Sequence, residues 1–479
     1  MKNELLSRLR DGEPLNTRQQ ISLISRLSYP AILAQLSSII MQYIDAAMVG
    51  RLGADASASI GLVSSSTWLF GGVLSAAVTG FTVQAAQTLG AKDPQKARGI
   101  VKCAFLGCLL FSLLLCIIGA SVSGILPRWL SDGADIAADA SRYFFVYALS
   151  LPFIQLNNIA GGMLQASGNM KVPSALHVLM CALDVVFNMI FIFPTRSWHG
   201  ITLYGAGLGV AGASIGTALS QVTVAFIMVW FLLFRSPELR IHMKDPSKMS
   251  ADYFKKGVKL ALPIGIEQVI MCSAYVASTK IVAPIGAVAI AANSFAITAE
   301  SLCYMPGYGI GNAATTLIGQ SVGAGRRDLT KRLGWITTLF GMAVMTVSGI
   351  CMWFLCPYVV GLLSPDKEVV ALAVSVLRIE VFAEPMYAAS IIALGVFRGA
   401  GDTFAPSCMS FISMWAVRIT LAAILTPHFG LYGYWIAMTV ELVFRGAIFL
   451  IRLHSGRWMK ERGDATFLKK SRPKNFKNG

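Results

Sequence analysis

Apolar runs of about 20 residues or more recur along the whole chain, broken by short polar stretches where Lys and Arg collect. Each run is long enough to cross a hydrocarbon layer of ~30 Å. The pattern predicts twelve spans, at about 27–50, 57–87, 99–125, 138–166, 172–194, 205–234, 257–283, 288–318, 333–362, 368–398, 405–427 and 431–453. The runs are continuous, whereas a membrane β-barrel needs short segments of alternating hydrophobicity. Several are longer than a crossing requires, so tilt or protrusion is expected.

The polar and helix-breaking positions repeat as well. The shift that carries Pro30 onto Pro263 also carries Gln35 onto Gln268, and Gly53-Ala54 onto Gly286-Ala287. Gln87, Gly90 and Ala91 fall on Gln320, Gly323 and Ala324. Pro152 meets Pro385, Gly162 meets Gly395, Gly168 meets Gly401, and Pro173-Ser174 meets Pro406-Ser407. One offset, held without a gap from Pro30 to Ser174, implies two halves of like topology. Parallel repeats of this kind imply a pseudo-two-fold axis along the membrane normal and a cleft between lobes. The expected fold is an all-α polytopic membrane protein, with twelve transmembrane helices in two pseudo-symmetric six-helix lobes around a central cleft. The expected divisions are a cytosolic N-terminal segment (1–26), an N-lobe (27–234), a linker (235–256), a C-lobe (257–453) and a basic tail (454–479).

Charge adds orientation. The chain has 479 residues, 40 of them Lys or Arg and 24 Asp or Glu, and only 13% are charged. Basic residues follow the second span (Lys92, Lys96, Arg98, Lys102), the sixth (Arg235, Arg240, Lys244, Lys248, Lys255, Lys256) and the eighth (Arg326, Arg327, Lys331, Arg332), and they fill the tail. Opposite loops are poor in them. The positive-inside rule then puts both termini in the cytosol. The net charge of +16 is thus a topology signal, not a nucleic-acid footprint. The nine cysteines lie in or beside apolar runs without metal-finger spacing and read as small hydrophobes. No signal peptide, phosphate-binding loop, histidine cluster or nucleophile triad is evident, so no enzyme and no bound cofactor are expected.

Carboxylates inside apolar runs are costly, which makes each one a functional candidate. In the first half these are Asp45, in the first span, and Asp184, four residues from Asn188 on one face of the fifth. Oxygens of this kind bind a proton or a hard cation such as Na⁺, here between Asp45 and Asp184. In the second half they are Glu267, Glu300, Glu380 and Glu384, with Arg418 as an ion-pair partner for the tenth-span acids, and Glu441 in the last span, which could simply face a polar cleft. The repeat separates these residues from the shared scaffold: Asp45 maps onto Ser278, Glu267 onto Ala34, Glu300 onto Thr67, Glu380 onto Tyr147 and Glu384 onto Leu151. Met41, Tyr43, Tyr275, Tyr304 and Tyr387 are candidates for lining a site for flat apolar cations.

Four stretches resemble the multidrug and toxic compound extrusion (MATE) transporters, of prokaryotic type. They are Tyr43-Ile44-Asp45 through Gly53, Ala206 through Ala213, Met305-Pro306-Gly307 through Gly325, and Arg398-Gly399-Ala400-Gly401-Asp402-Thr403. The resemblance runs from about 27 to 453. It implies cation-coupled efflux, with Asp45 matching the family's first-span Asp. Prokaryotic members often read Asn-x-x-x-Asp in the fifth span. Here the order is Asp184 then Asn188, which moves the carboxylate one turn, about 5–6 Å.

The function expected from these readings is export of cationic amphipathic compounds in exchange for H⁺ or Na⁺, by a monomer in the cell (inner) membrane. The alternative is a lipid-linked saccharide flippase of similar two-lobe fold, for which Arg and Lys in the cleft would speak.

Overall fold

A computed structural model describes residues 4–130, 136–198, 201–241 and 247–459. The tail from 460, His199, and Lys244 of the linker lie outside the described residues. The chain opens with α1 (Glu4–Asp11), then α2 (Thr17–Gly50), α3 (Ala54–Gly90), α4 (Pro94–Val122), the short α5 (Leu126–Leu130), α6 (Ala137–Ala166) and α7 (Lys171–Ile192). An antiparallel hairpin follows, β1 (Pro194–Trp198) and β2 (Ile201–Ala206), and α8 (Gly209–Trp230) closes the first half. The second half holds α9 (Ala251–Val282), α10 (Ala287–Gly323), α11 (Arg327–Leu363), α12 (Lys367–Glu380), α13 (Glu384–Ala400), α14 (Phe404–Ile412), α15 (Thr420–Phe429) and α16 (Leu431–Ser455).

The repeat survives in detail. α3 and α10 have the same length, 37 residues, and the offset carries Ala54 onto Ala287 at their starts and Gly90 onto Gly323 at their ends. Gly53 and Gly286 precede them with φ of 122° and 121°, a backbone that side chains resist. At about 1.5 Å per residue, each helix is some 55 Å long and outreaches the hydrocarbon layer. Among the described residues, ten helical segments are long and apolar enough to cross a membrane. The tenth expected span is split by a 3₁₀ turn at Val381–Ala383, before Pro385, and α16 carries Glu441 and Arg445 within its apolar run.

Three details go beyond the expected spans. The first membrane helix starts at Thr17 rather than 27, because Asn16 caps it in a capping box with Gln19. The sixth span starts at Gly209 rather than 205, since 201–206 pair as a strand. The segment before residue 27 packs on the rest of the protein: Leu6 and Leu9 of α1 and Leu15 after it are buried.

The first helix of each half lies in the seam. α2 packs on α7 of its own half and on α10 of the other; α9 packs on α14 and, across the seam, on α3. α3 and α10 cross at their last turns. A Cβ on Gly90 would lie 2.1 Å from the Gln320 carbonyl oxygen, and one on Gly323 would lie 1.9 Å from that of Gln87. Both glutamine amides also bond across: Gln87 donates to the Gly399 carbonyl (3.1 Å), and Gln320, its repeat mate, to that of Ala166 (2.7 Å). The acceptors match under the repeat as well.

Gly323→Val therefore forces the two backbones apart. It is expected to destabilise this arrangement by about 1–3 kcal/mol, the range for overpacking. Gly361→Ala on α11, where a Cβ meets nothing within 4 Å, is expected to be neutral or to stabilise by up to about 1 kcal/mol. Thermal unfolding of the two variants in detergent compares them directly.

Candidate functional site

The first-half acids converge. Asn188, on the face of α7 turned to α2 and α8, donates its amide to Asp45 Oδ1 (2.8 Å) and to Asp184 Oδ2 (3.0 Å). Ser220 of α8 donates to Asp184 Oδ1 (3.4 Å). Asp184 and Asn188 are fully buried and Asp45 half-buried. Gly216 makes room for the amide: a Cβ there would lie 2.2 Å from Asn188 Oδ1, which has no hydrogen-bond partner. Among the described residues no Lys or Arg pairs with either carboxylate. Charge balance in such a site has to come from a proton or a small cation. No group of three His, Cys, Asp or Glu side chains is arranged to hold a metal ion among the described residues. A monovalent cation would rely on the two carboxylates with the Asn188 and Ser220 oxygens.

The second half holds a different arrangement at the equivalent place. A Cβ on Gly212 would meet the Phe191 carbonyl oxygen, and one on Gly433 that of Leu425. These matching contacts put Ser220 opposite Glu441 and Asp184 opposite Arg418, where the constant offset of the earlier spans would put Val417. The extra residue is absorbed by a π-helical turn at Ser413–Ile419. There Arg445 bonds Glu441 (3.0 Å), Ser413 donates to it (2.6 Å), and Arg418 approaches it at 4.0 Å. Arg418 thus pairs with Glu441 and not with the tenth-span acids, correcting the expected partner.

Glu380 and Glu384 flank the 3₁₀ break, fully buried, and none of their carboxylate oxygens has a hydrogen-bond partner. Glu300 is buried on α10. In the first half the equivalent residues form an ordinary contact, the Tyr147 hydroxyl donating to the Thr67 carbonyl (2.7 Å).

A cavity of about 400 Å³ lies between the halves. Trp68 of α3 faces Tyr275, Tyr304, Tyr308 and Tyr387 across it, and Glu267, Arg398 and Arg445 supply its charges. Glu267 is tied to Arg398 (3.3 Å) and Ser407 (2.8 Å), and Arg445 lies over the Tyr387 ring. Of the expected lining residues, Tyr275, Tyr304 and Tyr387 are there. Tyr43 turns to α10 instead, its hydroxyl donating to the Thr298 carbonyl (2.6 Å), and Met41 is not among the lining residues. Trp68, Tyr308, Arg398, Arg445 and Ser220 escape the sequence reading. Glu441 and Arg445, four apart in one apolar run, are the available signal for Arg445.

A family model described as MatE matches the chain twice, over residues 30–190 and 263–424, and the second match starts where the repeat places the first. The chain belongs to the MatE family. It is therefore a multi-pass membrane transporter by family and not an enzyme. The chain is similar to proteins named probable multidrug resistance protein NorM. One is from Thermotoga maritima, 24% identical over 91% of this chain and 92% of that one. Another is from Streptococcus pneumoniae serotype 4, 26% identical over 91% and 95%. Solved MATE structures share the fold. One in complex with MaL6 superposes with a TM-score of 0.84 at 19% identity, covering 95% of this chain and 100% of that one. An outward-facing multidrug resistance MATE transporter gives 0.84 at 19%, covering 95% and 99%.

Within this MatE chain, Asn188→Leu removes the one donor shared by two carboxylates. The expected loss is about 1–3 kcal/mol of stability, the cost of leaving buried polar groups unsatisfied. Denaturation midpoints of the variant and the parent protein in detergent provide the check.

Proposed function

We propose that the protein is a secondary active antiporter that exports cationic amphipathic compounds in exchange for H⁺ or Na⁺ by alternating access. The observation that carries this is the Asp45–Asn188–Asp184 cluster, two carboxylates held on one amide with no basic partner among the described residues. A cation or proton supplies the missing charge, and its entry changes how α2 is tethered to α7. Tyr43, two residues before Asp45, ties the same helix to α10 of the other half. The cluster therefore sits on a helix that touches both lobes, 27–234 and 257–453. The ion drives the cycle through different affinities for the two lobe arrangements.

The tyrosines and Trp68 of the cavity supply aromatic faces for a flat organic cation. The second-half acids Glu267, Glu300, Glu380 and Glu384 supply negative charge on that side, Glu267 at the wall and the other three behind it. The end where α3 and α10 cross carries the basic loops, so both termini are cytosolic and the lobes are closed on that side. The protein works as a monomer in the inner membrane.

Arg398 and Arg445 on the cavity wall favour a second reading, a substrate with an anionic group such as a lipid-linked saccharide. Efflux from inside-out vesicles decides between them, with pH and Na⁺ gradients imposed separately. The antiporter reading expects cationic dye movement under at least one gradient. Dye that responds to neither, with a lipid-linked phosphate that binds the purified protein, sinks it. Asp45→Asn keeps the hydrogen-bonding shape but not the charge, and is expected to abolish gradient-driven efflux while leaving the unfolding midpoint close to wild type. Wild-type efflux in that variant removes the first-half cluster from the coupling step.

A further inference from the structure

The segments that precede the two halves meet at the pseudo-two-fold axis. Leu6 of α1 and Leu239 of the linker are related by the offset of the repeat, and both are buried. Leu6, with Leu9 and Leu15, joins the apolar core of the second half, while Leu239 joins that of the first. Leu6 also rests against Gly168, at the end of α6 in the first half. α1 therefore belongs to neither half alone.

Arg10 closes the arrangement. Its guanidinium donates to Gln320 Oε1 (3.0 Å), to the Ser167 carbonyl (3.1 Å) and to the Glu238 carboxylate. These three lie at the end of α10, at the end of α6 and in the linker. The same Gln320 amide makes one of the two bonds across the α3–α10 crossing. Around it, Asp11 pairs with Lys92 (2.6 Å) of the first half, and Arg326 of the second half donates to the Glu13 carbonyl (3.2 Å). Arg332 donates to Thr17 (2.6 Å).

We propose that α1 and the linker turn form a clasp, closed by Arg10, that holds the lobes together at this end and must release before this end opens. Arg10 is a positioning residue: it acts through Gln320 and touches neither the cavity nor the acidic cluster. Charge-assisted hydrogen bonds are stronger than neutral ones, and Arg10 makes them to both halves and to the linker. Separating the ends of α3 and α10 strips Arg10 from at least one set of these acceptors. The clasp thus favours the closed end by the difference in its contacts between the two states. It deepens the alternating-access reading and rests on it for the opening motion, but its test needs neither a substrate nor a coupling ion.

Gln95 and Asp328 are exposed repeat mates that flank the crossing. Nitroxides placed there by bioorthogonal chemistry, which leaves the nine native cysteines in place, report the separation in the full chain reconstituted in liposomes. Arg10→Ala is expected to raise the ratio of long to short distances roughly tenfold, within the usual range of coupling between sites. Glu238→Gln is expected to raise it less. Arg10→Glu combined with Glu238→Arg is expected to recover part of the short population that Arg10→Glu alone loses. A second label pair within the second half, at Asp328 and Phe404, is expected to stay fixed throughout. Unchanged distances in Arg10→Ala overturn the clasp. Equal lengthening at both label pairs also overturns it, since that reports loss of the fold. If the clasp result holds while dye efflux fails, only the transport reading falls.

Discussion

The crossing of α3 and α10 is the contact on which the arrangement of the two halves depends. Backbones approach there because Gly90 and Gly323 have no side chain, and each meets a carbonyl of the opposite helix. Gln87 and Gln320 then reach past the crossing to carbonyls of the opposite half. The contact is two-fold symmetric, so its parts are made or lost together. Packed surfaces of this kind switch between discrete arrangements and do not deform continuously. α2 and α9, each packed across the seam, are carried with it.

On this shared frame the halves hold different chemistry. Asp184 and Ser220 stand where Arg418 and Glu441 stand in the other half, and the Tyr147–Thr67 contact stands where Glu380 and Glu300 do. The first-half cluster has no fixed cation among the described residues. In the second half, two arginines share Glu441 and stand as fixed cations there. A mobile cation is needed only where no arginine is built in. That contrast is why the first-half cluster is the stronger candidate for ion exchange, although Glu380 and Glu384 also lack partners.

Much of this is legible in the sequence, and the failures have local causes. The repeat is visible because glycine and proline mark turns and crossings, which folding in lipid constrains tightly. The shared face of Asp184 and Asn188 follows from their spacing of four, whereas their meeting with Asp45 depends on how α2 packs on α7. Arg418 takes the wrong partner in a reading from sequence because several acids lie in apolar runs and only the packing of α16 on the π turn at Ser413–Ile419 brings Glu441 to it. The hairpin at 194–206 falls almost wholly between the fifth and sixth expected spans, and hydropathy carries no signal for strand pairing, which only the fold reveals. α1 stays hidden because eight residues give too short a period to stand out from a polar leader.

The positions of the two candidate sites constrain how they can communicate. Asp45, Asp184 and Asn188 are absent from the cavity lining, which draws on α3 and the second half. An ion at the cluster therefore does not compete with a substrate for the same atoms. What links them is α2, tied to α7 at Asp45 and to α10 at Tyr43 within one turn. α10 in turn supplies Tyr304 and Tyr308 to the cavity wall. On the proposed cycle, a change of charge at Asp45 alters the tether of α2, and the seam with α10 transmits the change to the cavity. Coupling by helix position requires an element in contact with both halves, and α2, 34 residues long, packs on α7 of one and α10 of the other.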